Sequence, residues 1–336
     1  MITAQDLQSK LAHISIGGNV CRYTLEICEQ YAPLINEINE LKKRKNALIL
    51  AHSYVAPEII YGVADHVGDS FELSKIAQNA NCDTIVFAAV KFMAETAKIL
   101  SPSKTVYTPS FVNGCSLADS ITAEKVIELK KQFPNYAFIC YINTSAEVKA
   151  HCDCCVTSSN VYKNIENYTN YNNYFLPDQL MGKNIERYLR EKNSQKDFRY
   201  YDGTCYVHEE YDPEMIDYIQ LNHPEAAIVA HPECKPSIVE KATFVGSTSQ
   251  MINYVKETNH EKYVMLTECG LTSRLQMERP NKTFIGSCTM CKYMKSNKLE
   301  QIRNCLTNPD PNLEIKLAPT IIHAAEKSLF EMFKHA

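Results

Sequence analysis

Fourteen cysteines in a chain of 336 residues give this sequence its main chemical potential, and three of them stand in a distinctive context. Val112-Asn113-Gly114-Cys115, Asp202-Gly203-Thr204-Cys205 and Gly286-Ser287-Cys288-Thr289-Met290-Cys291 each carry a thiol into a polar, glycine-containing loop after a β-rich run. Three thiolates without an obvious fourth argue against a closed structural zinc site and for a metal centre with an open position. An iron with such a position polarises a carboxylate, hydroxyl or carbonyl, which is what a dehydration needs. By contrast Cys21, Cys28, Cys82, Cys140 and Cys305 sit in apolar periodic stretches, where packing is the ordinary role of a free cysteine. A competing zinc or redox site could be built from the Cys288/Cys291 pair or from His151-Cys152-Asp153-Cys154-Cys155. The second grouping suits shared tetrahedral ligation poorly, because it sets consecutive side chains apart.

Other polar groups stand where apolar runs end. In His231-Pro232-Glu233-Cys234, Glu233 near a cationic iron would act as a general base, and Tyr141, ending a similar run, would donate or accept a proton. Gly68-Asp69-Ser70, Thr157-Ser158-Ser159-Asn160 and Gly246-Ser247-Thr248-Ser249 offer hydroxyls and amides ahead of helical stretches. Such residues cap helices by default, and the same geometry binds carboxylate or phosphate. No GxGxxG or GxxxxGK[ST] accompanies them, so three such loops favour a small polyanion over a nucleotide. Lys91, Lys104 and Arg274 could add positive charge, although solvent-exposed surface is the default for each.

The elements that must position these residues form an internal repeat. Val67-Gly68-Asp69-Ser70, Val156-Thr157-Ser158-Ser159 and Val245-Gly246-Ser247-Thr248 recur at steps of 89 residues, each after an apolar run ending in His52, Tyr141 or His231. Cys115, Cys205 and Cys291 follow nearly the same step. Each copy alternates short β-rich runs with amphipathic helices: LILAH, a V-G-D-S loop, FELSKIAQNA, TIVFAAV, KFMAETAKIL, KTVYTP, the cysteine loop, TAEKVIELKKQF. That alternation predicts α/β architecture, as three homologous three-layer αβα units with parallel sheets. The expected units are 47–136, 137–226 and 227–305, with an N-terminal helical extension at 1–46 and a C-terminal segment at 306–336 that packs back on the core. Leu25, Cys28, Leu34, Ile35 and Ile38 are spaced for one helix face. Ligands of parallel sheets bind beyond the strand carboxyl ends. Arranged around a pseudo-threefold axis, the copies would bring His52, Tyr141, His231, the hydroxyl loops and the three cysteines to one central cavity.

A net charge of −4 gives no field suited to nucleic acid or anionic membrane. The longest apolar runs are strand-sized and the N-terminus lacks a leader pattern, so the chain is expected in the cytoplasm, where thiols stay reduced.

From LILAHSYVAPE, VADHVGDSFEL, FMAETAKIL, YINTSAEVKA, VTSSN, DGTCYVH, IVAHPECKP, VGSTSQM, TECG and CTMCKYMK, the chain resembles the quinolinate synthase family over roughly residues 41–334. The resemblance implies condensation of iminoaspartate with dihydroxyacetone phosphate, with loss of phosphate and water, to give quinolinate in NAD biosynthesis. It implies a 4Fe-4S cluster on Cys115, Cys205 and Cys291 with one open iron. Substrate contacts fall on His52, Ser70, Tyr141, Asn143, Ser158, His231, Glu233 and Thr248, with Tyr141, Glu233 and His231 as the catalytic groups. An L-aspartate oxidase would supply the iminoaspartate. Cysteines at 152, 154 and 155 depart from the pattern, and Cys288 could pair reversibly with Cys291. Two other readings remain: a 4Fe-4S hydro-lyase for a small hydroxy acid, or an iron–sulfur regulator, for which no basic helix-turn-helix pattern is present.

Overall fold

The architecture is taken from a computed structural model that describes residues 1–16, 20–285 and 289–334. A short antiparallel hairpin, β1 (Ser15–Ile16) and β2 (Val20–Cys21), interrupts the otherwise helical N-terminal region. The first large sheet contains β3 (Ala47–His52), β4 (His66–Gly68), β5 (Thr84–Ala88) and β6 (Thr105–Tyr107), in the order β4-β3-β5-β6. The second contains β7 (Ala137–Tyr141), β8 (Cys154–Val156), β9 (Asn172–Leu176) and β10 (Asp197–Tyr200), ordered β10-β9-β7-β8. The third contains β11 (Ala227–Ala230), β12 (Phe244–Val245), β13 (Lys262–Leu266) and β14 (Thr283–Ile285), ordered β12-β11-β13-β14. All nine pairings in these sheets are parallel. Each sheet therefore has one topology, with its first strand between the second and third, as expected of three repeated α/β units.

One detail differs from the sequence reading. The residues at the start of each V-G-D-S-like motif form an additional strand, β4, β8 or β12, where a loop was expected. Two or three residues cannot show a strand's alternation, and they become a strand only by pairing with an existing edge.

Parallel strands need both faces covered, which explains their unbroken apolar runs. The helix Lys91–Leu100, for example, buries Phe92, Met93, Ala94, Ala97, Ile99 and Leu100. In the third sheet the alternation of side chains separates two cores. Ala227, Val229, Tyr263 and Met265 join the main core, whereas Ile228, Ala230, Val264 and Leu266 join a smaller one with Ile216 and Ile238. Each buried Leu, Ile or Val contributes about 1.5–3 kcal/mol.

The terminal elements close the molecule. Helix Leu25–Arg44, capped by the Thr24 side chain, buries Cys28, Ala32, Ile35, Ile38 and Leu41 and packs on helix Leu299–Thr307. The apolar stripe thus starts at Cys28: Leu25, expected on that face, is exposed and Leu34 is half-buried. Near the C-terminus, Thr108 N–H donates to Leu313 and Ile315 N–H donates to Val106, covering β6, the last strand of its sheet. Helix Pro319–Lys334 packs on helix Ala146–Ala150 and β8. Among the described residues no helix is long and apolar enough to cross a membrane.

Candidate active site

The three sheets aim the carboxyl ends of their strands at one partly enclosed cavity. The first strand of each unit contributes a pair of residues at positions i and i+2: His52/Tyr54, Tyr141/Asn143 and His231/Glu233 all line the cavity. The two histidine pairs share a local device. Tyr54 N–H donates to His52 Nδ1 at 3.2 Å and Glu233 N–H donates to His231 Nδ1 at 3.4 Å. With Nδ1 accepting, the proton of each neutral ring lies on Nε2. Burial, with the Arg274 and Lys295 charges, holds His52 down at about 3. Burial, helped by His208 and His52 and opposed by Glu233, does the same for His231 at about 3.

The second strand of each unit leads to the hydroxyl loops, and Ser70, Ser158 and Thr248 line the same cavity. In the first and third units neighbours do the capping: Asp69 accepts from Phe71 and Glu72 N–H, and Ser247 Oγ accepts from Gln250 N–H. In the second, the helix has no side-chain cap, and Asn160 Oδ1 accepts from Thr157 N–H within the loop. The cavity-lining hydroxyls are therefore not consumed as caps.

The fourth strand of each unit leads to Cys115, Cys205 and Cys291, which also line the cavity. The Cys115 sulfur accepts from Ala118 N–H at 3.5 Å, three residues on, while His208 N–H donates to the Cys205 carbonyl at 3.0 Å. Burial pushes the Cys115 thiol up to about 12 and raises Cys205 and Cys291 as well. Thiols so placed ionise when a cation supplies the compensating charge.

A buried hydrogen-bond chain crosses the cavity wall. Tyr141 hydroxyl donates to Glu233 Oε1 at 2.7 Å, and Glu233 Oε2 faces His208 Nδ1 at 3.2 Å. His208 Nε2 lies 3.2 Å from Thr267 Oγ1, which is 2.8 Å from the Tyr54 hydroxyl, itself 2.8 Å from Thr248 Oγ1. Burial opposes the charge on Glu233, but His208, His231 and the Tyr141 hydroxyl hold its carboxyl down at about 2. Burial and the Glu233 charge raise Tyr141 well above the ordinary phenol value. One side chain is thus kept ionised and its partner kept protonated.

Residues 36–334 match the family described as Quinolinate synthetase A protein. The chain belongs to that family. It is 42% identical over 305 residues to the quinolinate synthase of Clostridioides difficile, covering 90% of this chain and 98% of that protein. It is 41% identical over 300 residues to the quinolinate synthase of Caldicellulosiruptor saccharolyticus, covering 89% and 97%.

Seen as a quinolinate synthetase A family chain, the molecule gathers all eleven residues anticipated from sequence around one cavity. Sequence reasoning passed over Tyr54, His208, Thr267 and Glu268. Tyr54 was findable, since it stands two residues after His52 as Asn143 and Glu233 stand after Tyr141 and His231. His208 had a weaker signal, three residues after Cys205. Glu268 had none. It is buried, and its carboxylate accepts from Cys291 N–H at 3.1 Å and Gly270 N–H at 2.6 Å while pairing with Lys295 at 3.0 Å.

Arg274, expected at the surface, is largely buried and donates to Ser53 Oγ at 2.7 Å, beside His52. Lys91 is exposed and pairs with Glu95 at 3.6 Å. Lys104 donates to Ser101 Oγ at 3.2 Å and stays away from the cavity. The His151–Cys155 segment is also remote from the cavity. Cys152, Cys154 and Cys155 are buried, and their thiols point at the carbonyls of Val148, Cys155 and Val156. Cys140 is buried against Cys152 and Cys155, Cys28 and Cys305 are buried, and Cys82 is half-buried. Cys288 and the Cys21 side chain lie outside the described residues.

Proposed function

We propose that this enzyme is a quinolinate synthase that condenses iminoaspartate with dihydroxyacetone phosphate, releasing phosphate and water, in the cytoplasmic synthesis of NAD. On this reading the units 47–136, 137–226 and 227–305 each supply one thiolate, from Cys115, Cys205 and Cys291, to a 4Fe-4S cluster. The observation that carries it is the presence of one thiol per unit on the wall of the cavity that also holds Tyr141 and Glu233.

The donor set fits such a cluster. Among the described residues, the only group of three or more metal-ligating side chains with donor atoms within 4.8 Å of one another is Cys205, His208 and Glu233. The three cysteine sulfurs are thus spread too widely for one ion, which suits a larger inorganic core. The Ala118 N–H···Cys115 Sγ contact is of the kind that tunes iron–sulfur centres. When bound, a cluster with three protein ligands supplies an open iron, a Lewis acid for a substrate oxygen or nitrogen.

The chain's own residues bind, orient and move protons. Ser70, Ser158 and Thr248, with Asn143, offer hydrogen bonds to the carboxylate and phosphate groups. His52 and His231 keep neutral rings, with Nε2–H as donors. Glu233, ionised at about 2, takes the proton lost from carbon. Tyr141, bonded to Glu233, returns one to a departing hydroxyl so that it leaves as water. Iminoaspartate would come from an L-aspartate oxidase.

Anaerobic purification with iron and sulfide analysis, followed by assay for quinolinate from the two substrates, tests the reading. One 4Fe-4S equivalent per chain with product formation is expected. An iron-free chain that makes no quinolinate overturns it. Turnover of a small hydroxy acid instead would establish the hydro-lyase.

A further inference from the structure

Cys205, His208 and Glu233 present three different donor types, with the chosen atoms all within 4.8 Å of one another and the two non-cysteine residues buried. Sulfur, imidazole nitrogen and carboxylate oxygen together match an ion of borderline softness. His208 Nδ1 lies 3.2 Å from Glu233 Oε2. Two ligands on a tetrahedral zinc, each about 2.0–2.1 Å from the metal, lie about 3.3 Å apart. The spacing of these two side chains therefore already matches that of two ligands on one zinc ion.

The surroundings are also those of a metal site. A ligating histidine is normally fixed by a hydrogen bond from its other ring nitrogen, and His208 Nε2 sits 3.2 Å from Thr267 Oγ1. A ligating carboxylate is normally hydrogen-bonded in turn, and Glu233 Oε1 accepts from Tyr141 at 2.7 Å. The His231 ring stacks on His208 with centroids 4.7 Å apart, holding the imidazole plane. All three residues line the cavity, so a water or ligand atom can complete the tetrahedron.

We propose that, before its cluster is assembled, this chain binds one zinc-like divalent ion through Cys205 Sγ, His208 Nδ1 and Glu233, and that this ion blocks cluster assembly. The two states exclude each other because both require the Cys205 thiolate. The blocking step rests on the proposed function, in which Cys205 is a cluster ligand; the zinc site itself does not. On binding, the Cys205 thiol and the His208 Nδ1 site give up any proton they hold to solvent, and no oxidant or reductant takes part.

The test uses the full-length, iron-free chain titrated with Zn²⁺ against a chromogenic chelator, and with Co²⁺ to read tetrahedral thiolate absorption. One ion per chain is expected. His208→Gln and Glu233→Gln should each weaken zinc binding by at least about 10–100-fold, while Cys115→Ala and Cys291→Ala should bind zinc as the parent does. Zinc added before iron and sulfide should suppress cluster formation in the parent and no longer do so in His208→Gln. Melting curves of the iron-free variants identify any that misfold, and the remaining variants decide the question. Unchanged zinc binding in both His208→Gln and Glu233→Gln, or its loss in Cys115→Ala and Cys291→Ala, overturns the site. Iron uptake unaffected by bound zinc overturns the exclusion. A chain that binds zinc as described but never takes up iron would sink the cluster reading and leave the zinc site standing.

Discussion

The Tyr141 hydroxyl donates to Glu233 Oε1 at 2.7 Å, although 92 positions separate the two residues in the chain. Tyr141 ends β7 and Glu233 lies just beyond β11, so the bond joins the second unit to the third at their strand carboxyl ends. Tyr141→Phe removes this donor while leaving a ring to fill the space. It should keep its iron content and melting temperature and lose about 10²–10⁴-fold in turnover. Near-normal turnover would remove Tyr141 from proton transfer.

The cysteines should separate by role. Cys205→Ala should purify without iron under anaerobic conditions. Cys154→Ala should retain its iron and lose about 1 kcal/mol of stability, the cost of deleting one buried heavy atom. Equal iron loss in the two variants would shift the metal to the 152–155 segment.

Acid should weaken the fold through the two histidines. His52 and His231 are held at about 3 against an ordinary 6.5. Below pH 6.5 the unfolded chain therefore binds protons that the folded chain refuses. Their contribution is complete above pH 6.5 and declines toward pH 3, at about 1.4 kcal/mol per pH unit for each ring. Glu233, held at about 2 against 4.5, extends the loss below pH 4.5. Denaturant unfolding measured between about pH 7 and about pH 4 should show this slope. The slope should be shallower in His52→Gln and His231→Gln, and an unchanged slope in the double variant contradicts the assignment.

Lys149 should act on the site from a distance. It is fully buried, and its ammonium donates to the carbonyls of Ile142, at 2.8 Å, and Thr144. It thereby fixes the turn that carries Asn143. Lys149→Met leaves two buried carbonyls unpaired and should cost about 2–4 kcal/mol in denaturant unfolding. KM should rise more than kcat falls. A variant as stable as the parent would show that water replaces the ammonium.

Much of the architecture was legible because its signals are local. Unbroken apolar runs mark parallel strands, and one 89-residue step shared by Val67, Val156 and Val245 brought out the three units. The short strands β4, β8 and β12 escaped because pairing, not pattern, makes them. Leu25 was placed on the wrong side of the helix stripe because helical spacing alone admits neighbouring faces.

Residue types and spacing determined that three thiols, three hydroxyl loops and the residues ending three central strands repeat in step. Each signal lies within a few residues of chain. Only the tertiary structure decided that Glu233 stays ionised beside a protonated Tyr141, and that His208 bridges Glu233 to Thr267 and onward to Tyr54. It also decided that Arg274 turns inward to Ser53. Those outcomes depend on burial and on charges brought together from distant parts of the chain, and linear spacing records neither.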